Sequence, residues 1–244
     1  MNKAQEWLLK EKWSGEKTEG FFADCARLEA GEPLAYVIGN IPFLNTLISL
    51  GSHPLIPRPE TEYWVGNAIG SLPKNKPLRI LDLCAGSGAI GVAAGKALPM
   101  AQVDFAEIDL CHHGTIVGNI CDNGLDYTLT RVFGGDLFSD IPRGTQYDAI
   151  LSNPPYIDPV LDRAEESVKK YEPKNALYGG VGGIELIIRI MNDARAYLTP
   201  TGTLWMEHEP EQTAYITRLG AALGFTVTTQ HDQFGTLRFS IFTH

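Results

Sequence analysis

At 244 residues the chain can hold one sizeable α/β domain and a small accessory region, and its 44% apolar and 20% charged composition is that of an ordinary globular protein. A net charge of −9 with no Lys/Arg cluster excludes a free-standing electrostatic grip on nucleic acid. Cys25, Cys84, Cys111 and Cys121 show neither C-x-x-C nor metal-type spacing, and no run approaches a membrane span in length, so reduced thiols in a cytoplasmic protein are expected.

Between residues 2 and 30, apolar and charged residues recur at helical spacing with Gly15 and Gly31 as breakers, which predicts helices at 3–13 and 17–30. Pro33 to Ile38, the pair Gly39-Asn40 and then Phe43 to Leu50 alternate as a β-hairpin does. Leu55-Ile-Pro-Arg-Pro-Glu-Thr-Glu62 leads into a helix from Glu60 or Thr61 to about Ile69, and the Pro- and Lys-rich 71–77 opens the main domain. Three regions follow: a short helical segment at 1–32, a hairpin and linker at 33–76, and the main domain at 77–244. In the last of these, predicted strands (78–83, 102–107, 129–133, 146–152, 202–208, 225–230, 236–242) alternate with predicted helices (88–98, 111–123, 182–197, 210–223). That order implies a doubly wound, Rossmann-like α/β fold around a seven-stranded sheet. Only His231 to Gly235 separate the last two strands, too few for a helical crossover, so the last strand should run antiparallel. His112 and His113 are helix neighbours that do not share a face, and no metal is expected.

Ligands bind such sheets at the carboxyl ends of the strands, and four successive strand ends carry suitable groups. The first predicted strand runs into Cys84-Ala85-Gly86-Ser87-Gly88, whose glycines let the backbone approach a ligand closely. Gly86-x-Gly88-x-x-Gly91 is shared by nicotinamide- and S-adenosylmethionine-binding folds and does not decide between them. After the second strand Glu107, or else Asp109, can accept from ribose hydroxyls. After the third, Asp136 can accept from the exocyclic amine of adenine, with Leu137 or Phe138 packing on the ring. The fourth ends at Asn153-Pro154-Pro155-Tyr156. An Asn oxygen and a Pro carbonyl there form a two-acceptor clamp for a planar –NH2 group, and Tyr156 supplies a flat wall. A glycine turn, two acids and an amine clamp on one edge favour methyl transfer over hydride transfer.

Leu81 to Gly88 resembles motif I of class I S-adenosylmethionine-dependent methyltransferases, and Asn153 to Tyr156 resembles their amine-methylating motif IV. Glu32 to Gly39, Leu55 to Glu62, Tyr171-Glu172-Pro173 with Ala176-Leu177 and Gly179-Gly180, and Met206-Glu207-His208 are similar to the HemK/PrmC family. The resemblance covers roughly 32–242 and implies methylation of a glutamine side-chain nitrogen in a peptide chain release factor, with S-adenosylmethionine as cofactor. It implies a cofactor site at Cys84 to Gly88, Glu107, Asp136, Leu137 and Asn153, and a substrate clamp at Asn153 to Tyr156. A monomer is expected, with no membrane and no direct nucleic-acid partner. Two features depart from the family. The stretch before Pro33 is short, and 178–184 lacks an acidic residue often found among its glycines, which puts partner docking in question. Arg58-Pro-Glu60 has two readings, a wall of the substrate channel or a structural Arg–Glu pair. The competing activities are methylation of adenine N6 or guanine N2 in nucleic acid, methylation of a ribosomal-protein glutamine, nicotinamide-dependent oxidoreduction, and binding without catalysis.

Overall fold

The computed structural model describes residues 1–244. Helix α1 (Lys3–Glu11) starts at Asn2, which exchanges a capping box with Gln5, and α2 (Glu19–Glu29) starts where the Thr18 hydroxyl accepts from the Phe21 N–H. With α3 (Leu34–Ile38) they close a small apolar cluster of their own around Leu8, Phe21, Cys25 and Val37.

The segment 33–38, expected as the first arm of a hairpin, is helical instead. Pro33 caps α3, and Gly39 ends it at φ 97°, donating its N–H to the Ala35 carbonyl. Gly39-Asn40 is therefore a left-handed helix stop rather than a hairpin turn. The true hairpin is shorter: β1 (Asn40–Phe43) pairs antiparallel with β2 (Thr46–Ser49). Its turn falls at Leu44, held at φ 49° with its N–H donated to Glu62 Oε1. Helix α4 (Pro59–Ser71) opens with Pro at its first position and Glu60 and Glu62 in the first turn, both suited to a helix N-terminus. It buries Trp64, Val65, Ala68 and Ile69 in the same core layer as Phe43 and Ile48 of the hairpin.

From residue 79 the expected alternation is present. It comprises β3 (Arg79–Leu83), α5 (Ala89–Ala97), β4 (Gln102–Ala106), α6 (His113–Asp122), β5 (Thr130–Phe133) and β6 (Tyr147–Ser152). A short α7 (Glu166–Tyr171), which no sequence pattern announced, precedes α8 (Glu185–Ala194). Then follow β7 (Leu198–Glu207), α9 (Thr213–Ala222), β8 (Thr226–His231) and β9 (Leu237–Thr243). The helix expected over 182–197 is cut short at both ends: Gly182 sits at φ 64°, and a 3-10 turn takes over at Arg195.

The seven strands lie in the order β5-β4-β3-β6-β7-β9-β8, all parallel except β9, which runs antiparallel to both of its neighbours as expected. Strand alternation sends Ile80, Val103, Phe105, Ala149 and Leu151 into the layer under α4, α5 and α6. Their neighbours Leu81, Leu83, Ile150, Leu204 and Met206 enter the opposite layer with Ile187, Ile190 and Met191 of α8. Chain order reverses between β3 and β6, so a crevice opens beside their carboxyl ends.

Two asparagines one turn apart, Asn119 on α6 and Asn123 at its C-terminal cap, fasten the hairpin to this domain. Asn119 accepts from the Ser49 N–H at 2.7 Å and donates to the carbonyls of Ser49 and Ser87, and Asn123 pairs both ways with Leu47. They complete the free edge of β2 as a neighbouring strand would. Asn119→Ala strips partners from buried backbone groups of the hairpin and the glycine loop together. It is expected to cost about 1–3 kcal/mol, read as a lower urea midpoint at unchanged slope.

Candidate functional site

Where β3 ends, backbone strain marks the turn. Cys84, Gly86 and Gly88 all take positive φ (64°, 55° and 78°), and the first of them is not glycine. The loop is held from beneath and from the side. Asp82, fully buried, accepts the Gly91 N–H at 2.8 Å through Oδ2, while its Oδ1 has no partner. Burial pushes its carboxyl up to about 8, against the Gly91 N–H, which favours the charged form. Glu107 accepts the Gly86 N–H at 2.7 Å on one oxygen and the Asp109 N–H at 2.8 Å on the other. Each carboxylate oxygen keeps a second lone pair for a ligand. Burial, reinforced by Glu107, raises the Cys84 thiol far above its ordinary range, which makes it a neutral wall and not a nucleophile.

Two clefts open at this edge. The first has an empty volume of about 1050 Å³ and is walled by Cys84, Ala85, Gly86 and Ser87, by Glu107, and by Asp136 and Leu137. Gly88 stands just behind the wall as the N-cap of α5. Leu137 is buried at φ 54°, turned in by the strained corner after β5. Asp136 reaches the rim exposed, with Oδ2 paired to Arg189 Nη2 of α8 at 2.8 Å. The other oxygen makes no protein hydrogen bond. Nothing in sequence spacing pointed to Arg189.

The second cleft is walled by Pro154, Tyr156, Ile157, Gly182 and Gln212, with Asp158, Arg163, Glu209 and Glu211 toward its mouth. Asn153, Leu55 and Ala176 line both clefts, so Asn153 stands at their junction, while Pro155 faces the first. The Asn153 Oδ1 and the Pro154 carbonyl accept no hydrogen bond from the protein, and neither proline has an N–H to compete for acceptors there.

This loop is clamped by groups distant in sequence. Asn153 Nδ2 donates to Thr61 Oγ1 at 3.1 Å, and Thr61 donates to Glu207 Oε2 at 2.7 Å. The same carboxylate accepts the Trp64 indole N–H at 2.7 Å and the Tyr156 hydroxyl at 2.8 Å. Burial and the adjoining Glu207 hold the Tyr156 phenol far above its usual range, so it keeps its proton. Below, Gln212 Nε2 donates to the carbonyls of Tyr156, Gly182 and Gly183. Those two strips of backbone touch: a Cβ on Gly183 would lie 2.0 Å from the Tyr156 carbonyl oxygen. Above, Arg58 donates to Glu172 at 2.6 Å and to the Ile56 carbonyl, and Glu172 also accepts the Ile56 N–H. Arg58 thus pairs with Glu172 and not with its neighbour Glu60, and it also lines the second cleft.

His208, next to Glu207, is buried. Its Nδ1 donates to the Glu209 carbonyl at 2.9 Å and its Nε2 accepts from the Ser240 hydroxyl at 2.8 Å. Burial pushes its pKa from 6.5 down to about 4. The unfolded chain therefore takes up a proton that the folded one refuses. The stability this residue contributes is complete above pH 6.5 and is lost as pH falls from 6.5 toward 4, by about 3 kcal/mol in all. In urea unfolding, His208→Asn should flatten the stability profile across that window, and identical wild-type and variant slopes would refute the assignment.

The methyltransferase small domain family model matches residues 68–168. A release factor glutamine methyltransferase from Bordetella pertussis is 35% identical over 188 residues, 77% of this chain and 68% of its own length. Those of Coxiella burnetii (34% identical, 86% of this chain and 75% of the relative) and Aliivibrio fischeri (32%, 93% and 80%) align further. Among solved structures, a methyltransferase from Pyrococcus furiosus superposes with a TM-score of 0.61 at 19% identity, covering 89% of this chain and 96% of that one. A SAM-dependent methyltransferase from Agrobacterium tumefaciens superposes with a TM-score of 0.53 at 17% identity, covering 84% and 69%. These two show the fold alone.

Proposed function

This chain belongs to the release factor glutamine methyltransferase family, and from that membership we propose that it methylates the side-chain nitrogen of a glutamine in a peptide chain release factor. The observation that carries the proposal is the junction of the two clefts at Asn153, whose Oδ1, like the carbonyl of Pro154 in the second cleft, accepts no hydrogen bond from the protein. The cofactor is S-adenosylmethionine, which supplies an electrophilic methyl group. The first cleft suits it: a strained loop that exposes backbone, a carboxylate with spare lone pairs at Glu107, and an apolar wall at Leu137 and Ile108. Cys84 to Gly88 would cradle it, Glu107 would accept from its ribose, and Asp136 with Leu137 would meet its adenine.

The glutamine side chain enters by the second cleft. Its amide nitrogen is a poor nucleophile because the lone pair is delocalised into the carbonyl. Asn153 Oδ1 and the Pro154 carbonyl take its two N–H bonds, aim the lone pair toward the first cleft and stabilise the positive charge that develops on nitrogen. The methylated, cationic amide sheds its proton readily, so no base has to act first. Tyr156 is unsuited to that duty in any case, since its proton is held by Glu207. It serves as the wall of the cleft.

The second cleft also favours protein over nucleic acid. Its two arginines, Arg58 and Arg163, are each paired, with Glu172 and Glu211, while Asp158 and Glu209 add further carboxylates. No unpaired cation there awaits a phosphate. In this reading 77–244 form the catalytic domain, and 1–32 and 33–76 shape the approach of the protein substrate. Tritiated methyl offered in one vessel to a release factor, RNA and DNA should label the release factor, and label in nucleic acid would refute the proposal.

A further inference from the structure

Glu207 is 1% exposed and lines neither cleft, and Thr61, which bonds to it, is 3% exposed. We propose that these two are positioning residues that set the polarity of the Asn153 amide, so that its oxygen and not its –NH2 faces the glutamine.

A donor census carries the argument. An ionised carboxylate only accepts, and an indole N–H only donates. Glu207 takes protons from Trp64, Tyr156 and Thr61. The single hydroxyl proton of Thr61 is spent on Glu207, which leaves Thr61 Oγ1 only lone pairs to offer Asn153 at 3.1 Å. Whichever end of the Asn153 amide meets Thr61 must therefore be the donor end. The acceptor end is then fixed toward the junction of the clefts, where substrate N–H groups need it. Without the hydroxyl, the amide is free to turn and present two donors to a substrate that also has two. The chain of bonds runs from β7 through α4 to the loop after β6, over separations of 146 and 92 residues.

The inference rests on the glutamine reading for its purpose but not for its test. Thr61→Val keeps the shape and removes the hydroxyl. In isotope-labelled protein without substrate, hydrogen exchange at the Asn153 side-chain amide should speed up about tenfold or more in Thr61→Val, the equivalent of one lost hydrogen bond, and return toward wild type in Thr61→Ser. With an accepted substrate, kcat should fall about tenfold or more in Thr61→Val while the Kd for S-adenosylhomocysteine moves less than about threefold, and Thr61→Ser should recover most of the loss. Added to Asn153→Ala, Thr61→Val should cost less than about twofold more, because both act through one group. Unchanged amide exchange in Thr61→Val, a serine variant as poor as the valine one, or losses that multiply would each overturn the proposal. A wild-type protein that leaves release factors unmethylated would count against the substrate, and the exchange measurement would still decide the role of Thr61.

Discussion

Asn153→Ala lowers kcat for glutamine methylation by about 10²–10³-fold, the scale on which loss of one preorganised polar group at a reacting centre is felt. The effect belongs to the transition state. One of the two acceptors proposed to stabilise charge on the amide nitrogen is gone, and the substrate amide is left free to rotate out of line. The fold should be spared, because the only protein hydrogen bond made by this side chain is the one to Thr61. Cofactor affinity should change by less than about tenfold, since Asn153 is one of many groups around the first cleft. Single-turnover kinetics with a release factor, paired with calorimetry using S-adenosylhomocysteine, separates the two quantities. Near-normal turnover in the alanine variant would remove the clamp from the mechanism.

Glu107→Ala produces the complementary result, a rise of about 10²-fold in the Kd for the cofactor. Two losses add. The acceptors proposed for the ribose disappear, and the backbone N–H groups of Gly86 and Asp109, both now bonded to this carboxylate, are left without partners. The second loss loosens the glycine loop itself, so the variant should also unfold at a lower temperature. Glu107→Gln retains one acceptor oxygen and should fall between the two in calorimetry. A Kd within about threefold of wild type in the alanine variant would show that the acid serves the loop and not the ligand.

The central strands could be read from sequence because they are short apolar runs stopped by glycine, proline and acids, and burial on both faces leaves little else they can be. The order of groups along its carboxyl edge followed from the topology, which is why Gly86, Glu107, Leu137 and Asn153 fall around one opening. Local signals misled at 33–40. Tyr36 and Val37 favour strands and Gly39-Asn40 is a common turn, yet burial of Tyr36 and Val37 in a helix and the left-handed stop at Gly39 prevail. The supports of the site were out of reach for a different reason. Thr61, Trp64 and Glu207 are separated by up to 146 residues and meet only after α4 packs against β7. The Gln212 side chain that knits the Tyr156 loop to the glycine-rich turn looks, in sequence, like any residue at a helix start. Gly86, Glu107 and Asn153 stood out by residue type and position, whereas Thr61 and Glu207, although they lie in stretches that resemble the family, take a role only through contacts made on folding.

Glutamine methylation is tested most directly by mass spectrometry of a release factor incubated with this protein and S-adenosylmethionine, with the modified peptide fragmented to place the methyl group. One methyl group is expected, on the side-chain nitrogen of a glutamine, present with the wild-type protein and lost with Asn153→Ala. A methyl group on a carboxylate, a lysine or the backbone, or an unmodified release factor beside a methylated nucleic acid, would contradict it.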